Sequence, residues 1–108
     1  MLSCDELREL GPAGYGELVR ERVGARPVFL SFDIDVLDPA FAPGTGTPEV
    51  GGLSTAEALS FLRALRGIEL AGADVVEVSP PYDGPGAPTA LAAANVAWEL
   101  LALRAVAA

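Results

Sequence analysis

Two short apolar runs with a helix-like segment between them predict an α/β chain built on parallel strands. The first run lies in Val28-Phe-Leu-Ser-Phe-Asp-Ile-Asp-Val-Leu-Asp-Pro39 and is bounded by turn residues, as a buried strand is. The second, Leu70 to Val78, takes its β-propensity from Val75, Val76 and Val78. Between them, apolar residues recur at helical spacing, and a strand–helix–strand of this length closes as a right-handed parallel crossover. A chain of 108 residues holds one domain at most, with a limited core.

Ser3-Cys-Asp-Glu6 fits a capping box, in which Ser and Glu satisfy each other's backbone donors, and Leu7 and Leu10 make the buried side of that first helix. Gly11-Pro-Ala-Gly14 breaks it. Tyr15 to Val23, with Leu18, Val19 and Val23 apolar among charged neighbours, reads as a short amphipathic helix stopped by Gly24. Pro27 opens the first strand, where a missing N–H does least harm. Ser54-Thr-Ala-Glu57 is a second capping box, with Leu53 placed to staple onto Ala58. Ala58, Leu59, Phe61, Leu62 and Leu65 form the buried stripe of that helix, Arg63 and Arg66 its solvated last turn, and Gly67 its end. After Ser79-Pro-Pro-Tyr-Asp-Gly-Pro-Gly86, a rigid loop, Pro88 or Thr89 starts a last helix. Its inward face is expected to carry Leu91, Ala94, Asn95, Trp98, Leu101, Ala102 and Ala105, with Trp98 in the core and Asn95 a hydrogen-bonded core amide.

Net charge is −8 and all seven basic residues are arginine, so a nucleic-acid partner is not expected. No apolar run is expected to span a membrane, and the start lacks a signal pattern. Cys4 is the single cysteine, which excludes an internal disulfide. These features suit a soluble cytoplasmic protein.

The chemistry gathers at the strand ends. Residues two apart on a strand face the same way, about 6.6–7 Å apart, so Asp33 and Asp35 fall on one face at the end of an apolar strand. Like charges there repel and resist desolvation unless something positive lies between them. A divalent metal, a metal pair or a cationic substrate would serve, and oxygen ligands suit Mg²⁺ or Mn²⁺. The same letters also suit two solvated turn residues. Glu77, near the end of the second strand, reaches the same edge of a parallel sheet; a buried acid without a partner is costly. Loops at the carboxyl ends of strands are where open α/β sheets place their sites.

Ser31-Phe-Asp-Ile-Asp-Val-Leu-Asp-Pro39, Ala42-Pro-Gly-Thr-Gly-Thr-Pro-Glu49, Gly51-Gly52-Leu53 and Asp74-Val-Val-Glu-Val-Ser-Pro-Pro-Tyr-Asp83 together resemble the ureohydrolase family of arginases and agmatinases, the last segment resembling the agmatinase branch. The resemblance runs from about Val19 to Arg104. It implies a portion of a three-layer α/β/α arginase-like fold. It also implies two Mn²⁺ ions that activate water for attack on a guanidinium carbon. Agmatine would give putrescine and urea, a step of polyamine synthesis.

Carried over by position, Asp33 matches the carboxylate bridging the two ions and Asp35 a carboxylate on one of them. Glu77 matches the acid that pairs with the guanidinium, and Thr47 a loop hydroxyl lining the pocket, although Gly-Thr-Gly-Thr-Pro also suits a plain tight loop. Glu49, Asp38, Asp74 and Asp83 are read as turn or supporting residues. The family's other metal ligands include histidines, and this chain has none. The chain is therefore expected to be the carboxyl-terminal third, inactive alone, either a non-catalytic fragment or one part of a split enzyme that needs an amino-terminal partner, with an apolar sheet edge uncovered. Family members form trimers or hexamers. A haloacid-dehalogenase-type phosphatase also opens with Asp-x-Asp, but needs a later lysine that is absent here.

Overall fold

A computed structural model describes residues 1–107. Helix α1, Cys4–Val23, starts on the expected capping box: the Ser3 hydroxyl accepts from the Glu6 N–H and the Glu6 carboxylate from the Ser3 N–H. The Gly-Pro break is a kink inside one helix. Gly11 leaves helical geometry at φ 70°, ψ 168°, and the helix resumes at Pro12, where no N–H has to be satisfied. Leu7 packs on the core, whereas Leu10, the last residue before the kink, stays exposed, contrary to expectation. Gly24 ends the helix at φ 57°, donating to the Arg20 carbonyl.

Strand β1, Pro27–Asp33, passes into a 3-10 turn over Ile34–Val36. Helix α2, Thr55–Arg63, carries the second capping box through Ser54 and Glu57, and strand β2, Glu69–Val76, follows. Helix α3 spans Pro88–Ala107 after a 3-10 turn at Pro80–Tyr82. The two strands pair in parallel, from Pro27 opposite Glu69 to Asp33 opposite Val76, with an irregularity between Val28 and Phe29. Among the described residues neither strand has a neighbour on its other edge. Phe32, Phe61, Leu62, Leu70, Val96 and Leu100 represent the core, and Tyr15 meets Phe61 edge to face at 5.5 Å.

Several expectations are corrected. α2 ends at Arg63, and turns carry the chain from there to Ile68. Arg63 is not merely solvated, because it ion-pairs with Glu99 of α3 at 2.6 Å. β1 is not buried on both faces, and Phe29 is exposed. α3 turns the opposite way from the face expected: Thr89, Ala92, Val96, Leu100 and Leu103 are buried, whereas Trp98 is 70% and Leu101 66% exposed. A helix apolar on nearly every side offers no periodicity from which to choose a face. Asn95 lies at the surface, its amide donating to the Leu91 carbonyl one turn back. α3 is also long and apolar enough to cross a membrane by length and composition, which corrects the expectation that no segment is. Part of that apolar content packs against β2 and α2.

Candidate functional site

The end of β1 places two carboxylates side by side, by a turn and not by the pleat of the strand. Asp33 is the last strand residue and Asp35 lies in the 3-10 turn, which corrects the expectation that both sit on one strand face. The turn forms because the Asp33 side chain accepts from the Asp35 N–H at 3.0 Å. Burial pushes the Asp33 carboxyl above its ordinary range, and the Asp35 and Glu77 carboxylates push it further, against the Asp35 N–H that lowers it.

Thr47 closes the site from the loop that joins the 3-10 turn to α2. Its hydroxyl donates to Asp35 Oδ2 at 2.8 Å, so the threonine is more than a loop filler. That loop is held at its ends. Leu53 donates to the Val36 carbonyl and Asp38 to the Leu53 carbonyl, both at 2.9 Å. The Asp38 carboxylate accepts from Ala40 and Gly51 N–H groups at 2.9 Å, in the turn role expected of it. Gly52 permits this closure, because a Cβ there would sit 2.6 Å from the Asp38 nitrogen.

Glu77 follows the last residue of β2, whose strand partner is Asp33. It is exposed, and its backbone takes φ 68°, an unfavourable region for a side chain of this kind. Asp33, Asp35, Thr47 and Glu77 are thus brought to one rim of the sheet, the first three by contact and Glu77 through its field on Asp33. Asp74 lies away from them and accepts from the Ser31 hydroxyl at 2.5 Å.

Two features of the rim were not anticipated. Thr45 is 3% exposed, and its hydroxyl has no partner among the described residues. Thr89, fully buried, accepts from the Gly44 N–H at 2.8 Å. A threonine just after the proline that starts a helix was the available signal for the second; a Gly/Thr loop carries none for the first. The larger grooves lie elsewhere, and two carry charged residues, Asp74 and Arg104 in one and Arg8 and Glu57 in the other. A third, of about 400 Å³, lined by Leu37, Phe41, Leu59, Leu91 and Val96, contains no ionisable group.

A rim of acids at the carboxyl ends of parallel strands, with a hydroxyl donating to one of them, is the candidate site of this α/β fold. A sequence profile of the arginase family matches residues 1–103, and the chain belongs to that family. It is 54% identical over 103 residues to a guanidinopropionase from Pseudomonas aeruginosa, covering 95% of this chain and 32% of that protein. An agmatinase from Proteus mirabilis is 59% identical over 105 residues, 97% of this chain and 34% of the relative. The structure of proclavaminate amidinohydrolase from Streptomyces clavuligerus superposes with a TM-score of 0.94 at 50% identity, covering 99% of this chain and 35% of the other. The chain therefore spans about a third of the length of the curated relatives it matches.

The family is metal-dependent. Asp33 and Asp35 fit the oxygen share of such a centre: they are neighbouring carboxylates with no basic residue bonded to either, and burial raises the basicity of Asp33. Among the described residues no cluster of three or more His, Cys, Asp or Glu side chains forms a ligand set.

Proposed function

We propose that this chain forms the carboxylate wall of a ureohydrolase site that cleaves agmatine to putrescine and urea with a pair of Mn²⁺ ions. The meeting of Asp33, Asp35 and Thr47 at one rim, with Glu77 beside them, carries the proposal. Asp33 and Asp35 would hold metal, which when bound supplies a water of lowered pKa. Glu77 offers a carboxylate to the planar guanidinium, a match for two parallel hydrogen bonds. Thr47 fixes the orientation of Asp35 and lines the pocket.

Relatives of this chain act on different guanidino compounds, as the name guanidinopropionase indicates, so a guanidino acid is the competing substrate. This wall favours agmatine. Its charged groups, Asp33, Asp35 and Glu77, are all acidic. Arg8 is engaged by Asp5, Glu57 and the Gly52 carbonyl, so it offers nothing to a substrate carboxylate. With an incomplete ligand set, the 108-residue chain alone is expected to release no urea from agmatine.

The test is a graft in which this chain replaces the matching third of the Proteus mirabilis agmatinase. Manganese-dependent urea release from agmatine is expected, with little from 3-guanidinopropionate. Asp35→Asn and Glu77→Gln should each cut it by at least about 100-fold. A folded graft that binds manganese and releases no urea refutes the assignment, and one preferring 3-guanidinopropionate replaces agmatine as substrate.

A further inference from the structure

Thr47 and Glu77 lie on two loops beyond the paired strands, and one glycine joins those loops. The Gly44 carbonyl accepts from the Ser79 N–H at 2.7 Å, two residues beyond Glu77. The Gly44 N–H donates to the Thr89 hydroxyl at 2.8 Å, three residues before Thr47. There is no space for a side chain at this junction: a Cβ on Gly44 would stand 2.9 Å from Thr89 Cβ and Oγ1 and 3.0 Å from Asp83 Cβ.

The anchor on the far side is firm. Thr89 stands in the first turn of α3, and its own N–H donates to Asp83 Oδ1 at 3.0 Å. The same carboxylate takes the N–H groups of Gly84 and Ala90 at 2.9 and 3.0 Å, satisfying donors that the helix start leaves free. Ala92, Val96, Leu100 and Leu103 fix the rest of α3 in the core.

We propose that Thr89 is a positioning residue: its buried hydroxyl, held by the capped start of α3, locks Gly44 so that the Thr47 loop and the Glu77 loop keep one geometry. Thr89 touches neither metal nor substrate in this role. The importance of that geometry for chemistry rests on the ureohydrolase reading, whereas the clamp itself does not.

Amide hydrogen exchange by NMR on the full chain, free of metal and substrate, reads the clamp. Thr89→Val removes the hydroxyl at nearly constant volume. It should speed exchange at Gly44 and Ser79 by about tenfold, the equivalent of one buried hydrogen bond, and leave Leu62 and Leu70 unchanged. Thr89→Ser should restore the slow rates. An agmatine titration followed at the Thr47 and Glu77 amides should show weaker binding in Thr89→Val and recovery in Thr89→Ser.

Should valine disturb the core, Thr89→Ala, which admits water to the Gly44 N–H, is read in the same way. Exchange at Gly44 and Ser79 within about twofold of the parent, less than one hydrogen bond is worth, overturns the proposal. So does uniform acceleration at all four amides without recovery in Thr89→Ser, since that is the behaviour of a plain packing residue. A parent chain whose amides ignore agmatine counts against the ureohydrolase reading alone, and the exchange rates still decide the clamp.

Discussion

The surroundings of Asp33 oppose the ionised form of its carboxyl. Burial, Asp35 and Glu77 raise its pKa, while only the Asp35 N–H favours the charge. A carboxyl raised in the folded state adds stability when protonated, and loses that contribution as pH rises from the unfolded value, about 3.9, through the raised one. Once ionised, the group therefore works against the fold unless a cation offsets its charge. Asp33→Asn keeps an oxygen for the Asp35 N–H and removes the charge, so the metal-free variant should melt at a higher temperature than the parent. A lower melting temperature would mean that the charge is compensated within the chain. Thr45→Val addresses the opposite case, a buried hydroxyl with no partner among the described residues. Replacing it by a methyl of the same shape should leave the melting temperature unchanged or raise it, and a marked fall would reveal a partner, such as a bound water.

At the scale of elements, the helix starts bring functional loops to rest, and their carboxylates are the acid-sensitive part of the fold. Hydrogen bonding at Ser54, then the Arg8 guanidinium, lowers the Glu57 pKa. At Asp83 burial opposes the shift, and the N–H groups of Ala90, Thr89 and Gly84 outweigh it. A depressed carboxyl contributes stability that is complete above its unfolded pKa and is lost as pH falls through the folded one. Thermal melts should therefore show α2 and α3 loosening below about pH 4, and Asp83→Asn should flatten that dependence. Ser54→Ala removes the hydroxyl that caps α2 and should cost about 1 kcal/mol in denaturant unfolding.

Both capping boxes, the strand openings and the α2 stripe were legible in the sequence because local chemistry decides them. The face of α3 was not, since Leu91, Ala92, Val96, Trp98 and Leu100 are all apolar and only their tertiary neighbours select among them. The four rim residues were named from strand ends and motif. The link from Gly44 to Thr89 could not be read, because a hydrogen bond 45 residues apart leaves no local signature, whereas the turn from Asp33 to Asp35 is local chemistry that the apolar strand pattern around it masked.

The whole molecule carries an acid rim on one end of a two-stranded sheet and leaves apolar side chains open on β1 and α3. Trp98, the single tryptophan, reports on that surface. Trp98→Ala should cost under about 0.5 kcal/mol, as for a surface residue, where a core tryptophan would cost about 3–5 kcal/mol. A shift of its fluorescence to shorter wavelength with rising concentration would show this surface being covered by association. The account of the rim is tested most directly by electron paramagnetic resonance, counting free Mn²⁺ during titration of the full chain and of its Asp33→Asn and Asp35→Asn variants. Measurable binding by the parent, weakened at least about tenfold in each variant, is the expected result. Manganese bound equally by all three proteins, or by none of them, would contradict the placing of a cation between these two aspartates.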